Sequence, residues 1–239
     1  MKNWLNRMLY GLLPGKCILC SAATNRYLDL CLNCETDLPR LPNPCWQCGL
    51  TAAEGQEICG SCLIHPPPFS HCFAALEYSP PVDRLIHQFK NQRKIMFGKV
   101  LATVLSEQYL RHHMVFPDAW IPVPLHKDRL KHRGFNQALE IAEVLADTTQ
   151  VPVNPRACRR ITDTGDQKSL SAKQRKQNMK NVFTVDFPLN GECIGIIDDV
   201  VTTTATVSEL TRLLLKHGAS DVQIICLART PVTSRSGST

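Results

Sequence analysis

The sequence predicts an α/β protein: a mainly parallel sheet flanked by helices, preceded by a small cysteine-rich unit. Three observations predict it. Apolar stretches near 73–78, 119–124, 193–198 and 222–227 alternate with segments whose apolar residues recur at helical spacing, as in a parallel sheet with crossover helices. Eight of the twelve cysteines form four C-x-x-C pairs in the first 62 residues. One apolar stretch, Ile194-Gly-Ile-Ile-Asp-Asp-Val-Val-Thr-Thr-Thr-Ala-Thr206, stops at two carboxylates and a run of small hydroxyl residues before a helical pattern resumes.

Taken in order, Trp4, Leu5, Met8, Leu9, Leu12 and Leu13 share one face at helical spacing and predict a short amphipathic helix. Asn3, Asn6 and Arg7 break the run, and no A-x-A-like cleavage site follows, so an export signal is not expected. No apolar run approaches the roughly 20 residues that span a bilayer. The expected location is the cytoplasm.

Cys17/Cys20, Cys31/Cys34, Cys45/Cys48 and Cys59/Cys62 repeat every fourteen residues. Two cysteines three apart can offer both thiolates to one ion, and two such knuckles complete a tetrahedral site. Eight ligands predict two structural zinc ions, with Gly49 and Gly60 supplying backbone freedom at the turns. Sequential pairing of the knuckles is the simplest assignment, and cross-braced pairing stays open. A disulfide framework is the main competitor, but it needs an oxidising compartment. Residues 1–62 hold few core-sized side chains, so metal binding would supply much of their folding free energy. His65, His71 and Cys72 are read as linker residues rather than further ligands. Pro66-Pro67-Pro68 marks a stiff linker, which divides the chain into a double ribbon at 1–65, a second domain at 72–232 and a disordered tail at 233–239.

In the second domain, Phe73–Tyr78 reads as a strand, and Pro80-Pro81 opens a helix carrying Val82, Leu85, Ile86 and Phe89. Lys90, Arg93 and Lys94 suit its C-terminus. A second helix covers about 97–111. Ala119-Trp-Ile-Pro-Val-Pro124 is a strand running into a loop, and a helix with Leu139, Ile141, Ala142 and Leu145 follows to about Ala146. Ile194–Asp198 and its following loop lead into a helix at 207–217. In open α/β sheets ligands bind beyond the carboxyl ends of the strands, which is where the loops after Val123 and Ile197 would lie. Small residues at a helix N-terminus offer unpaired N–H groups to an anion. Carboxylates beside them suggest a ligand with both phosphate and sugar hydroxyls. Cys158, Cys193 and Cys226 are read as small apolar residues, the last two in core strands.

The net charge of +6 is uneven: residues 1–72 are neutral, 73–190 carry +7 and 191–239 carry −1. The excess lies in Lys127–Arg133 and Arg156–Lys180, which could serve a phosphorylated ligand, nucleic acid or solubility alone.

Pro122-Val-Pro-Leu125 with Arg129 and Arg133-Gly-Phe-Asn-Gln137, the segment Arg160…Thr164…Gln167…Leu170-Ser…Arg175…Asn178, and D-D-V-V-T-T together resemble the ComF family over nearly the whole chain. That family is similar to type I phosphoribosyltransferases with an N-terminal zinc ribbon. The resemblance implies that Asp198 and Asp199 bind the ribose hydroxyls of phosphoribosyl pyrophosphate, directly or through Mg²⁺. It implies that Thr202, Thr203, Thr204, Ala205 and Thr206 hold the 5-phosphate. Leu125–Gly134 falls at the pyrophosphate loop, with Arg129, Arg133 and Gly134 as its site residues. Residues 159–181 fall at the hood over the site, with Arg160 and Arg175 as closers. Thr206 and Glu209 also fit a capping box, so part of the threonine run could simply start the helix. No general base for an incoming nucleophile is evident.

Two classes of function follow. One is a protein of natural competence and DNA utilisation that binds phosphoribosyl pyrophosphate, a nucleotide or a DNA phosphate, with single-stranded DNA and a helicase as expected partners. The other is an active Mg²⁺-dependent phosphoribosyltransferase acting on a base or nucleotide. The low aromatic content shows no base-stacking platform. One departure matters: the family usually has Gly where this chain has Thr204. Either the loop takes an ordinary conformation with Thr204 offering its hydroxyl, or phosphate binding is weakened, because β-branched residues fit positive φ poorly.

Overall fold

The computed structural model describes residues 15–112, 115–162, 182–186 and 188–231. The predicted N-terminal helix, Arg175 and the 233–239 tail lie outside them.

Two short strands, β1 (Gly15–Lys16) and β2 (Ala23–Thr24), pair antiparallel around the first knuckle. One-turn helices α1 (Leu32–Thr36) and α2 (Gly60–Ile64) each start directly after a cysteine, at Cys31 and Cys59. Then follow β3 (His71–Glu77), α3 (Val82–Gln92), α4 (Ile95–Arg111), β4 (Ala119–Pro122), α5 (Lys127–Arg133) and α6 (Gln137–Thr149). The chain continues through β5 (Cys158–Arg160), β6 (Phe183–Val185), β7 (Cys193–Val201), α7 (Ala205–Lys216) and β8 (Asp221–Arg229).

The sheet runs β3-β8-β7-β4 with every pair parallel. All four C-terminal strand ends therefore share one edge. Both faces of the sheet are covered, which is why β7 and β8 read as near-continuous apolar runs. Alternate residues part to opposite sides: Ile197, Ile225 and Leu227 join α3, α4 and α6, whereas Ile194, Ile196, Val222 and Ile224 join α7 and the β5–β6 hairpin. Helix α4 is buried nearly all round, with Leu101, Ala102, Leu105 and Tyr109 fully enclosed. Trp120 is fully buried opposite Gly195 across the β4–β7 register, and its indole N–H donates to Thr149 Oγ1 at 3.1 Å. A Cβ on Gly195 would meet the Trp120 ring at 2.2 Å, so only glycine fits there.

The cysteine-rich segment is packed onto this layer. Leu28, Leu30 and Leu38 belong to the same apolar cluster as α3 and α4. Tyr27 donates to Glu107 on α4, and Glu77 N–H donates to Pro39 O at 2.9 Å.

Three expectations need correction. His71 and Cys72 are not linker residues: they are buried and begin β3, because Ser70 N–H already bonds Val222 O in sheet fashion at 3.0 Å. Leu125–Gly134 is not an open loop, because α5 forms within it, started by His126 Nδ1 accepting from Asp128 N–H and stopped by Gly134 at φ 86°. Residues 159 and 160, expected to open the hood, belong to strand β5, whose alternation is too short to register as periodicity, and residues 163–181 lie outside the described residues. Among the described residues no helix is long and apolar enough to cross a membrane.

Candidate functional site

Cys17, Cys20, Cys31 and Cys34 bring their sulfurs within 4.8 Å of one another, and Cys45, Cys48, Cys59 and Cys62 do the same. The knuckles pair sequentially. A tetrahedral zinc with bonds of about 2.3 Å places its sulfurs roughly 3.8 Å apart. Cys20–Cys31 and Cys48–Cys59 each stand at 3.7 Å, and all twelve cysteines are free, so a disulfide framework is ruled out. Backbone N–H groups aim at the sulfurs, as Cys59 N–H does at Cys45 Sγ, 3.2 Å away. Burial raises the Cys45 thiol, but the N–H groups of Cys59 and Cys48 outweigh it and hold it at about 7. Burial next to the other thiols pushes Cys48 up to about 12. Four thiolates in one place need a cation, and a doubly charged ion with sulfur affinity fits. These are two Cys₄ zinc-binding sites.

The second centre lies at the strand ends. β7 delivers Asp198 half-buried and Asp199 buried, on opposite faces. Asp199 pairs with Lys90 from α3. Asp198 lines a cradle of about 30 Å³ closed by Val200–Val207, room for the head of a small anion. Burial pushes the Asp198 carboxyl up to about 6, although the charges of Lys90 and Arg160 act to lower it.

The cradle's backbone is set by Thr204, the N-cap of α7, at φ 60° and ψ −2°. The ordinary conformation considered for a β-branched residue is therefore not adopted: the chain keeps the left-handed turn that glycine would take. Its hydroxyl donates to Thr203 O at 2.6 Å rather than capping the helix. Helix α7 then begins at Ala205, so Thr206 lies inside its first turn and the Thr206–Glu209 capping box does not form. Ala205 and Thr206 are half-buried, and Thr202 and Thr203 are exposed.

The second loop lies beside the first because β4 pairs with β7 and Val123 N–H donates to Ile197 O at 2.9 Å. Asn136 locks it: its amide donates to Val123 O at 3.1 Å while its Oδ1 caps α6 at Ala138 N–H, 3.0 Å. Arg129 and Arg133 are half-buried on α5, and Arg133 donates to Gln137 Oε1 at 2.6 Å. Gly134 faces the Arg93 guanidinium, which donates to His132 O at 2.8 Å. Arg160 ends β5, bridges to His126 through the backbone and lies over the Phe183 ring, 5.7 Å from its centroid.

The double zinc ribbon family model matches residues 8–63. "DNA utilization protein YhgH" of Escherichia coli (strain K12) is 37% identical over 232 residues, covering 95% of this chain and 96% of that protein. "Competence protein F" of Haemophilus influenzae is 32% identical over 209 residues, 84% of this chain and 90% of that one. The chain belongs to this YhgH/competence protein F family. The resemblance drawn from the R-G-F-N-Q and D-D-V-V-T-T motifs is thereby borne out. A solved purine phosphoribosyltransferase from Pyrococcus horikoshii is similar over 56% of this chain and 74% of that one, at 22% identity and a TM-score of 0.34.

In this member of the family, three residues escape a reading by motif. Lys90 looked like a cation closing a helix, yet its ammonium meets Asp199. His71 packs tilted against Trp46, ring centroids 3.9 Å apart, and its Nδ1–H donates to Trp46 O at 2.7 Å. Burial lowers it to about 4, so it is neutral at pH 7. Arg229, at the end of β8, is 2% exposed and donates to the backbone of both the third knuckle, in the second zinc site, and the threonine loop. Only the positive charge of Arg229 in an apolar strand could have drawn attention beforehand. A cleft of about 600 Å³ separates the second zinc site from the loop, lined by Cys48, Cys62, His65 and Pro66–Pro68 on one side and Thr202–Thr204 and Arg212 on the other.

Proposed function

We propose that this protein serves the utilisation of external DNA by binding a phosphorylated ribose at the strand ends of its sheet. The single observation that carries the proposal is the cradle after β7. The half-buried carboxylate of Asp198, a left-handed turn at Thr204 and the N-terminus of a 12-residue helix converge on one anion-sized space. Thr202–Thr206 hold the 5-phosphate through backbone N–H groups and hydroxyls. Asp198 takes the ribose hydroxyls, with Mg²⁺ where a diphosphate is present, and Asp199, held by Lys90 on the other face, fixes the strand end behind it. Arg129 and Arg133 face that diphosphate, since guanidinium forks suit phosphate oxygens. Arg160, whose charge already acts on Asp198, closes the site from the hairpin. Phosphoribosyl pyrophosphate and the 5′-phosphate of a nucleotide or DNA strand share this chemistry. The division of labour takes residues 1–65 as the zinc-bound ribbon pair and 72–232 as the phosphate-binding unit, both acting in the cytoplasm. The names of the E. coli and H. influenzae relatives, DNA utilization and competence, support the cellular role.

The test is calorimetric titration with phosphoribosyl pyrophosphate and Mg²⁺, beside single-stranded DNA at two salt concentrations. Sugar-phosphate binding that Asp198→Ala abolishes is the expected result. Absence of such binding, with salt-sensitive DNA binding indifferent to Asp198→Ala, overturns it. Pyrophosphate release on adding nucleobases would identify a transferase.

A further inference from the structure

We infer that Arg229 ties the second zinc site to the phosphate loop, so that occupancy of the Cys45/Cys48/Cys59/Cys62 site and the conformation of Thr202–Thr204 are linked. The inference rests on the phosphate-loop proposal for its functional meaning, though not for its geometry.

Arg229 Nε donates to the carbonyl of Cys48, a zinc ligand residue, at 2.9 Å. One terminal nitrogen donates to Val201 O at 2.8 Å and to Thr202 O, and reaches Thr230 O at 3.4 Å. One buried fork thus holds the knuckle with one arm and the entry to the threonine loop with another. Among the described residues no carboxylate pairs with it, so its charge is balanced by carbonyl dipoles and by its surroundings. Four thiolates and one Zn²⁺ leave a formal charge of −2 on the neighbouring knuckle, which favours a buried cation there. Across the fork, the same cation adds positive potential behind a loop that faces an anion.

The knuckle is also held by β3. Cys72 N–H donates to Trp46 O at 3.2 Å, and a Cβ on Gly49, at φ 69°, would stand 3.2 Å from Cys72 O. With zinc bound, Cys48 O is a fixed acceptor. Without it, the four cysteines lose the ion that draws them together, the turn opens, and Arg229 loses one arm. The guanidinium then has reason to shift, and with it the carbonyls of Val201 and Thr202. Coupling of this kind is reciprocal: whatever orders the loop must also favour metal retention at the second site.

Hydrogen exchange on the full zinc-loaded chain tests this without any ligand. The reporters are the amides of Ser208 and Thr230, which donate to Thr204 O at 2.8 Å and Val201 O at 3.1 Å. The amides of α4 serve as the internal control. Cys62→Ser should bind one zinc per chain and speed the reporters about tenfold, with α4 unchanged. Arg229→Lys keeps the charge but loses the fork, so it should bind two zinc ions and still speed the reporters. Reporters within about twofold of wild type in Arg229→Lys would overturn the coupling. Should Cys62→Ser also speed α4, Arg229→Lys alone decides. Titration of the wild type with ribose 5-phosphate separates the two proposals. Lack of binding removes the phosphate loop's assigned role and leaves the coupling intact. Binding with unmoved reporters in Arg229→Lys removes only the coupling.

Discussion

Replacing Thr204 by glycine should make the protein more stable while leaving its affinity for a sugar phosphate nearly unchanged. Thr204 sits at φ 60°. An L-residue pays roughly 1–2 kcal/mol in that region, because Cβ crowds the following carbonyl oxygen. Glycine removes that cost but returns about 0.5–1 kcal/mol through the greater freedom of the unfolded chain. The lost Thr204–Thr203 hydrogen bond is exposed and worth little. The net gain is about 0.5–1 kcal/mol. For a chain of this size that raises Tm by roughly 1–4 °C, readable by scanning calorimetry of zinc-loaded protein at pH 7. Affinity is a separate matter. The strain is present in the free loop already, so it cancels between free and bound states. Ribose 5-phosphate titrated into Thr204→Gly should bind within about threefold of wild type, a difference below 1 kcal/mol. Thr204→Asn should fall between the two proteins in stability, since asparagine tolerates the left-handed region. A Tm at or below wild type for Thr204→Gly would refute the strain argument. A tenfold tighter ligand would refute the claim that the loop is preformed.

Asp198 ties stability to pH. Its carboxyl is raised from 3.8 to about 6 by burial, so ionisation costs the folded state up to about 3 kcal/mol. Its contribution is favourable below pH 4 and is lost as pH rises through 6. Asp198→Asn should therefore gain stability above pH 6, with the gain vanishing near pH 4 in denaturant titrations. Lys90→Met leaves Asp199 buried without its cation and should cost about 3 kcal/mol at pH 7. Adding Asp199→Asn should recover most of that loss. Gly195→Ala forces a methyl against the Trp120 ring and should lower stability by about 1–3 kcal/mol, with altered Trp fluorescence. Metal analysis should find two zinc ions per chain, and a chelator should render residues 15–65 protease-sensitive before the sheet unfolds. Less than one ion per chain would contradict the Cys₄ assignment.

Much of this molecule is determined locally, and those parts are legible in the sequence. The C-x-x-C repeat fixes two thiolate sets because three-residue spacing brings sulfurs together whatever surrounds them. Continuous apolar runs at β7 and β8 announce strands buried on both faces, since a half-exposed strand would alternate. Even the D-D-V-V-T-T stretch shows as a strand end followed by a helix start, because a run of apolar residues gives way to polar ones and apolar helical spacing then resumes. The expected strand at 193–198 runs on to Val201 only because β8 pairs with it to the end. What tertiary structure decided is where side chains go once distant segments meet. Lys90 stands 109 positions before the carboxylate it pairs with, and Arg229 stands 181 positions after the carbonyl it holds. Thr204 is the sharpest case. Local preference alone argues for an ordinary turn there. Strand β7 and helix α7, each packed into the core, fix the two ends of the loop and impose a left-handed residue between them. A cost of a kilocalorie or two at one residue is small beside the packing of a strand and a helix, so the fold prevails.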